Sequence, residues 1–180
     1  MSDIDTLASP CTVIGLGNEL LTDDGAGIRT VRALKERLPS GTFRFLELSV
    51  GGLQLLDSIT GTAHCIIVDA VATGRHPPGT IYRFVQTADS APVTLTSSHQ
   101  IDLGQVLTLA ALMGAEVPHT VTVYGIEAAD TTTFHEGCTE EVSAAIPKLV
   151  EAICRDVNEQ IDTTSAHAGQ WHIINEPLPV

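Results

Sequence analysis

Thr12-Val13-Ile14-Gly15-Leu16-Gly17-Asn18-Glu19-Leu20-Leu21-Thr22-Asp23-Asp24-Gly25-Ala26-Gly27 sets the architecture of this chain. Residues 12–16 are a short apolar run that ends in Gly and Asn, the pattern of a buried strand. Asp23-Asp24-Gly25 then offers an N-cap for a helix. Ile28, Val31, Leu34 and Leu38 follow at helical spacing, and Pro39-Ser40-Gly41 ends the run. A buried strand that passes through a glycine-rich loop into an amphipathic helix is the opening of an alternating α/β domain.

The alternation continues outward from that stretch. Phe43 to Leu48 reads as a second strand, and Gly51-Gly52 leads into a short helix with Leu53, Leu56 and Ile59. His64 to Asp69 is a third strand. Thr80 to Val85 is a fourth, hairpin-like or at an edge. A helix after Ser98-His99 carries Leu103, Val106, Leu107, Ala110 and Met113, with Ser97 and Gln100 in the form of a capping box. Thr120 to Tyr124 is a fifth strand, ended by Gly125. The last helix carries Val142, Ile146, Leu149, Val150, Ile153 and Val157, and Pro147 within it calls for a kink or a late start. The expected fold is a single three-layer α/β/α domain over residues 1–157. It has a mostly parallel five-stranded sheet with helices on both faces. Residues 158–180 lose periodicity and read as a tail, partly mobile or docked, with Trp171 as its large apolar anchor.

Composition narrows the function. The 180 residues carry 9 basic and 22 acidic side chains, a net charge of −13. Lys occurs only at Lys35 and Lys148. A surface this acidic does not neutralise phosphates, so nucleic acid and anionic membranes are excluded as partners. No apolar run approaches the roughly 20 residues of a membrane span. The Met-Ser-Asp-Ile-Asp start lacks the basic and apolar regions of a signal peptide, which leaves a cytoplasmic expectation. Cys11, Cys65, Cys138 and Cys154 form no CxxC pair and read as small buried hydrophobes. Cys138 alone could open a helix, where a thiol pKa falls. No heptad or exposed stripe calls for self-association, so a monomer is expected.

In a sheet of this kind the site lies at the carboxyl ends of the strands, near the switch in strand order. The first loop fails as a dinucleotide fingerprint, because the third glycine would fall at Leu20. It also brings three carboxylates where a pyrophosphate wants bare N–H groups. A cation fits better. Glu19 lies past the first strand, Asp69 ends the third, and His99 opens the helix that follows the fourth. Two carboxylates and an imidazole form an O,O,N set suited to a borderline divalent metal. Asp23 and Asp24 read as helix-capping residues. Asp102, one turn into the His99 helix, either orients that His or complements the helix N-terminus. Gly51 and Gly52 either admit an extended peptide close to the backbone or serve a turn needing positive φ.

The run from Gly15 to Gly27 resembles the opening motif of the [NiFe]-hydrogenase maturation endopeptidases. Further pieces match in order: Gly51-Gly52-Leu53, Val68-Asp69-Ala70, Pro78-Gly79-Thr80, Ser98-His99-Gln100 and Gly125-Ile126-Glu127. The similarity covers about residues 11–157. It implies an enzyme that removes a C-terminal extension from the hydrogenase large-subunit precursor after nickel insertion. It implies Glu19, Asp69 and His99 as the residues that recognise nickel, which the substrate supplies. Asp69 is then either the general base of an aspartic-type or metal-dependent hydrolase or only a nickel ligand, and Asn18, Gly51 and Gly52 are candidate substrate contacts. The family has Pro after Gly-Ile-Glu, where this chain has Ala128-Ala129 and a Thr-rich stretch. The alternative is a nickel-sensing chaperone that binds the same precursor without cutting it. A nucleotide-binding enzyme and a peptidase of broad range are further rivals. No Gly-x-Ser-x-Gly elbow and no His-Glu-x-x-His motif is present, which argues against a serine hydrolase or a self-sufficient zinc protease.

Overall fold

The computed structural model describes residues 11–49, 53–87, 103–159 and 169–174. Strand β1 (Cys11–Leu16) is followed by a 3-10 turn (Thr22–Gly25) and helix α1 (Ala26–Arg37). Then come β2 (Phe43–Leu48), α2 (Leu53–Ile59), β3 (His64–Val71), β4 (Ile81–Thr87) and α3 (Leu103–Leu112). The chain ends its described part with β5 (Thr120–Glu127), α4 (Glu140–Asn158) and β6 (Trp171–Ile173).

The strands form one sheet in the order β2-β1-β3-β5-β4-β6. β2, β1, β3 and β5 run parallel, while β4 is antiparallel to β5 and β6 is antiparallel to β4. The sheet therefore has six strands rather than the five expected. The sixth comes from the segment read as a tail: Phe84 pairs with Trp171 and Tyr82 with Ile173. β4 is thus interior to the sheet rather than at its edge.

The β-branched content of β1 and β3 suits strands covered on both faces, where successive side chains alternate between two cores. On one side Val13, Ile66, Val68 and Tyr124 pack with Val31 and Leu34 of α1 and Leu149 and Ile153 of α4. On the other, Ile14, Leu16, Ile67 and Val123 pack with Leu55, Leu56 and Ile59 of α2 and Leu103, Val106 and Ala110 of α3. Each such aliphatic side chain contributes about 1.5–3 kcal/mol of burial. Met113 departs from its expected place: it follows α3 and is exposed.

Two glycines let α1 sit close to the strand ends. Gly17 has φ +149°, and a Cβ there would lie 2.0 Å from the Asp24 carbonyl oxygen. A Cβ on Gly27 would lie 2.3 Å from the Leu16 carbonyl oxygen and 2.4 Å from that of Val68.

Three strands run further than expected, β4 among them to Thr87, and one helix starts earlier. β5 passes through Gly125 to Glu127, because Gly125 pairs with Asp69 on one side and Tyr82 on the other. β3 likewise reaches Val71, opposite Glu127. α4 begins at Glu140, ahead of Pro147, so the late start is not seen. Thr139 precedes it, anchored through its backbone N–H and hydroxyl to the Asp23 carboxylate. The buried stripe then continues on both sides of the proline, through Val142, Ala145, Leu149 and Ile153.

Candidate active site

The chain leaves β1 toward β2 on one side and reaches β3 on the other, so the strand order reverses between β1 and β3. Register places Asp69 at this switch point. Gly15 pairs with Val68, which sets Asp69 level with Leu16, the last residue of β1. Asp69 is fully withdrawn from solvent, and its Oδ1 accepts the backbone N–H of Ala70 at 2.9 Å.

Glu19 stands in the loop after β1. A cleft of about 480 Å³ opens there, lined by Asn18, Glu19, Leu20 and Arg29 among others, with Glu47, Ser49 and Glu136. Asn18 and Glu19 therefore face one cavity, while Asp69 is not part of its lining. Glu19 does not stand bare. Arg32 of α1 holds both its oxygens, at 2.6 and 2.7 Å. The same guanidinium grips Glu47 at 2.8 and 3.0 Å. Hydrogen bonds from Arg32 keep the Glu47 carboxyl below the usual carboxylate range. The pair is half-exposed, with Arg32 at 50% and Glu19 at 30% side-chain exposure. Arg32 thus bridges two partly exposed carboxylates in a bidentate network, a stronger arrangement than an isolated surface pair.

Arg29, one helical turn before Arg32, lines the same cleft. Its Nε is buried without a hydrogen-bond partner among the described residues. Neither arginine was singled out in the sequence. Their signal is polar positions interleaved with Ile28, Val31 and Leu34 on a helix that starts at the site. That spacing fixes a face, but not which carboxylates it meets.

Asp23 and Asp24 do not cap α1. The residues at the cap positions are Leu21 and Gly25, and neither makes a side-chain cap bond. Asp24 instead accepts the Asn18 N–H at 2.8 Å, which shapes the loop carrying Glu19. The Asp23 carboxylate is fully buried and reaches across to the loop after β5. It accepts the N–H groups of Ala129 (2.9 Å), Asp130 (3.0 Å) and Thr139 (2.7 Å), and the Thr139 hydroxyl. Long-range backbone donors compete successfully with the local cap.

Glu127, at the end of β5, is a second buried carboxylate with a filled shell. It accepts the Tyr82 and Thr73 hydroxyls, each at 2.6 Å, and the Gly74 N–H at 2.8 Å. Burial and then this hydrogen bond push the Tyr82 phenol up to about 12. Glu127 thus ties the loop after β3 to the ends of β4 and β5. Cys138 precedes the α4 N-cap, and burial together with the Asp23 charge pushes its thiol up to about 11. That is opposite to an activated thiol, although Cys138 is only partly buried, unlike Cys11, Cys65 and Cys154.

His99, Asp102, Gly51 and Gly52 lie outside the described residues, as do Ser97 and Gln100. Among the described residues no group of three or more His, Cys, Asp or Glu stands ready to hold a metal ion. Among them too, no helix is long and apolar enough to cross a membrane.

An open, largely parallel sheet with helices on both faces and a carboxylate-bearing cleft beyond its switch point defines a doubly wound α/β protein. Its family follows from similarity. A family model described as hydrogenase maturation protease matches residues 28–156, and this chain belongs to that family. It is 32% identical over 152 residues to the hydrogenase 2 maturation protease of Escherichia coli K12, covering 82% of this chain and 90% of that protein. The structure is similar to that of the hydrogenase maturating endopeptidase HybD from E. coli, with TM-score 0.70 and 30% identity, over 84% of this chain and 93% of that one. It is also similar to the [NiFe] hydrogenase maturation protease HybD from Thermococcus kodakarensis, with TM-score 0.57 and 26% identity, over 81% and 97% of the two chains.

Proposed function

We propose that this protein is an endopeptidase that removes the C-terminal extension of a [NiFe]-hydrogenase large-subunit precursor once nickel has been inserted. It acts as a cytoplasmic monomer. The observation that supports the reading is two acidic residues beside the switch point, one on β3 and one in the loop that follows β1. Asp69 follows Val68, the last β3 residue in register with β1, and Glu19 lines the cleft. His99 is the third residue of the set. The nickel belongs to the substrate, held there by the precursor's own side chains.

The chemistry asked of the site is hydrolysis of one peptide bond. Water adds to the scissile carbonyl carbon, the C–N bond breaks, and the leaving nitrogen takes a proton. Asp69 is the base that takes the proton from the attacking water. Glu19 exchanges Arg32 for the substrate's metal and so reports that the metal is present. Nickel, when brought by the precursor, supplies a Lewis acid near the carbonyl. Asn18 and Glu19 line the wall along which the precursor tail lies.

Two conservative variants test these roles. Asp69→Asn should lower the cutting rate of nickel-loaded precursor by about 10²–10⁴-fold, the usual contribution of a positioned base. Glu19→Gln should abolish the preference for loaded over nickel-free precursor in a calorimetric binding measurement. Full cutting by Asp69→Asn, or an intact preference in Glu19→Gln, would contradict the assignment of that residue.

A further inference from the structure

Leu20 and Phe134 are large apolar side chains held out in water. Leu20 is 53% exposed and Phe134 is 80% exposed. They come from two loops far apart in sequence, which the backbone clips together. Leu21 bridges to Phe134 and His135. The His135 N–H donates to the Leu20 carbonyl at 3.0 Å, and the Thr22 N–H donates to the His135 carbonyl at 3.1 Å. The Thr22 hydroxyl donates to the Thr133 carbonyl at 2.7 Å. Thr22 itself has φ +35°, a left-handed conformation costly for a β-branched residue. The Asp23 carboxylate and the Asx-type turn of Asp130 onto Thr132 and Thr133 complete the brace. Strain and many bonds are thus devoted to a loop whose apolar tip touches little.

Leu20 lines the cleft, and so does Glu136, two residues after Phe134. A protein whose tail enters the cleft must therefore lie across Leu20. Glu19, Glu47 and Glu136 line the cleft against Arg29, with Arg32 bridging Glu19 and Glu47, within a chain of net charge −13.

We propose that Leu20 and Phe134 form a docking ridge for the folded body of the precursor protein at the rim of the cleft. The inference rests on the protease reading above. The partner face it fits is an apolar recess bordered by Lys and Arg. Such anchors act through binding rather than chemistry, so the ridge sets the affinity for the folded substrate.

The test is the cutting of loaded precursor by wild type, Phe134→Ala and Phe134→Ser, with KM and kcat separated. Phe134 is exposed and lies outside the cleft lining, and thermal unfolding of the variants should match wild type. Phe134→Ser should raise KM about tenfold, and Phe134→Ala less, with kcat within twofold, as loss of one apolar anchor predicts. Added salt should raise the wild-type KM further, because the rim charges are screened. Cutting by wild type with an unchanged KM in both variants would overturn the ridge and leave the protease reading intact. So would sedimentation showing a wild-type dimer that Phe134→Ser dissolves without change in KM, since a second copy would then be the occupant. No cutting by wild type at all would overturn the protease reading, and the ridge with it.

Discussion

Gly27→Ala should destabilise the fold by about 4 kcal/mol, a change large enough to be exceptional for one methyl group. Helix propensity alone predicts the opposite sign, because Ala is favoured over Gly in a helix by about 1 kcal/mol. The contacts decide. The new Cβ would stand 2.3 and 2.4 Å from two carbonyl oxygens, those of Leu16 and Val68. Both are main-chain atoms of strands fixed on two sides, so neither can swing away as a side-chain tip would. Relief requires α1 to move off the sheet, which opens the core that Val31 and Leu34 share with Val13 and Val68. The loss is a large share of the roughly 5–15 kcal/mol that holds a domain together. For a chain of this length it corresponds to a fall in melting temperature of roughly 8–16 °C. Urea unfolding followed by circular dichroism measures it. Stability equal to or above wild type would show that α1 does not sit on the strand ends as described.

Asp23→Asn carries the second large effect and separates two readings of the same residue. As an N-cap, Asp and Asn are nearly equivalent, and the substitution should be close to neutral. As the buried acceptor of three N–H groups and a hydroxyl from the 128–139 loop, the carboxylate is not replaceable. The amide group would turn a donor toward donors and leave buried N–H groups unmatched, at a cost of about 2–3 kcal/mol. Asp23→Ala should cost about 3–4 kcal/mol, since it removes every acceptor. Limited proteolysis gives a local readout: cleavage within residues 128–139 should speed up before global unfolding does. A neutral Asp23→Asn with an unchanged cleavage pattern would return the residue to capping.

These two residues also mark what can be read from a sequence. Periodicity carried the core, because alternation and helical spacing are local: Val13 and Ile14 face opposite cores as a two-residue period requires. The strand ends were legible, Asp69 among them, but the strand order that sets Asp69 level with Leu16 was not, because pairing is long-range. Asp23 was misread because its partners lie up to 116 residues away, while a cap is local and always available to the imagination of a pattern. The Arg32 bridge between Glu19 and Glu47 was invisible for the same reason, since spacing fixes a helix face and not what it meets. The sixth strand was missed because Trp171–Ile173 is three residues long, too short for any periodicity, and is ordered by pairing with β4. β5 was cut short at Gly125, where a glycine usually ends a strand; here it pairs with Asp69 and Tyr82 on its two sides.

The central claim is a cut that depends on the substrate's metal. The direct measurement is intact mass spectrometry of a cognate large-subunit precursor after incubation with the wild-type protein, once loaded with nickel and once free of it. The account predicts loss of a C-terminal peptide from the loaded precursor and an unchanged mass for the nickel-free one. Binding of the loaded precursor with no change in mass would make the protein a chaperone, and equal cutting of both forms would remove the metal checkpoint.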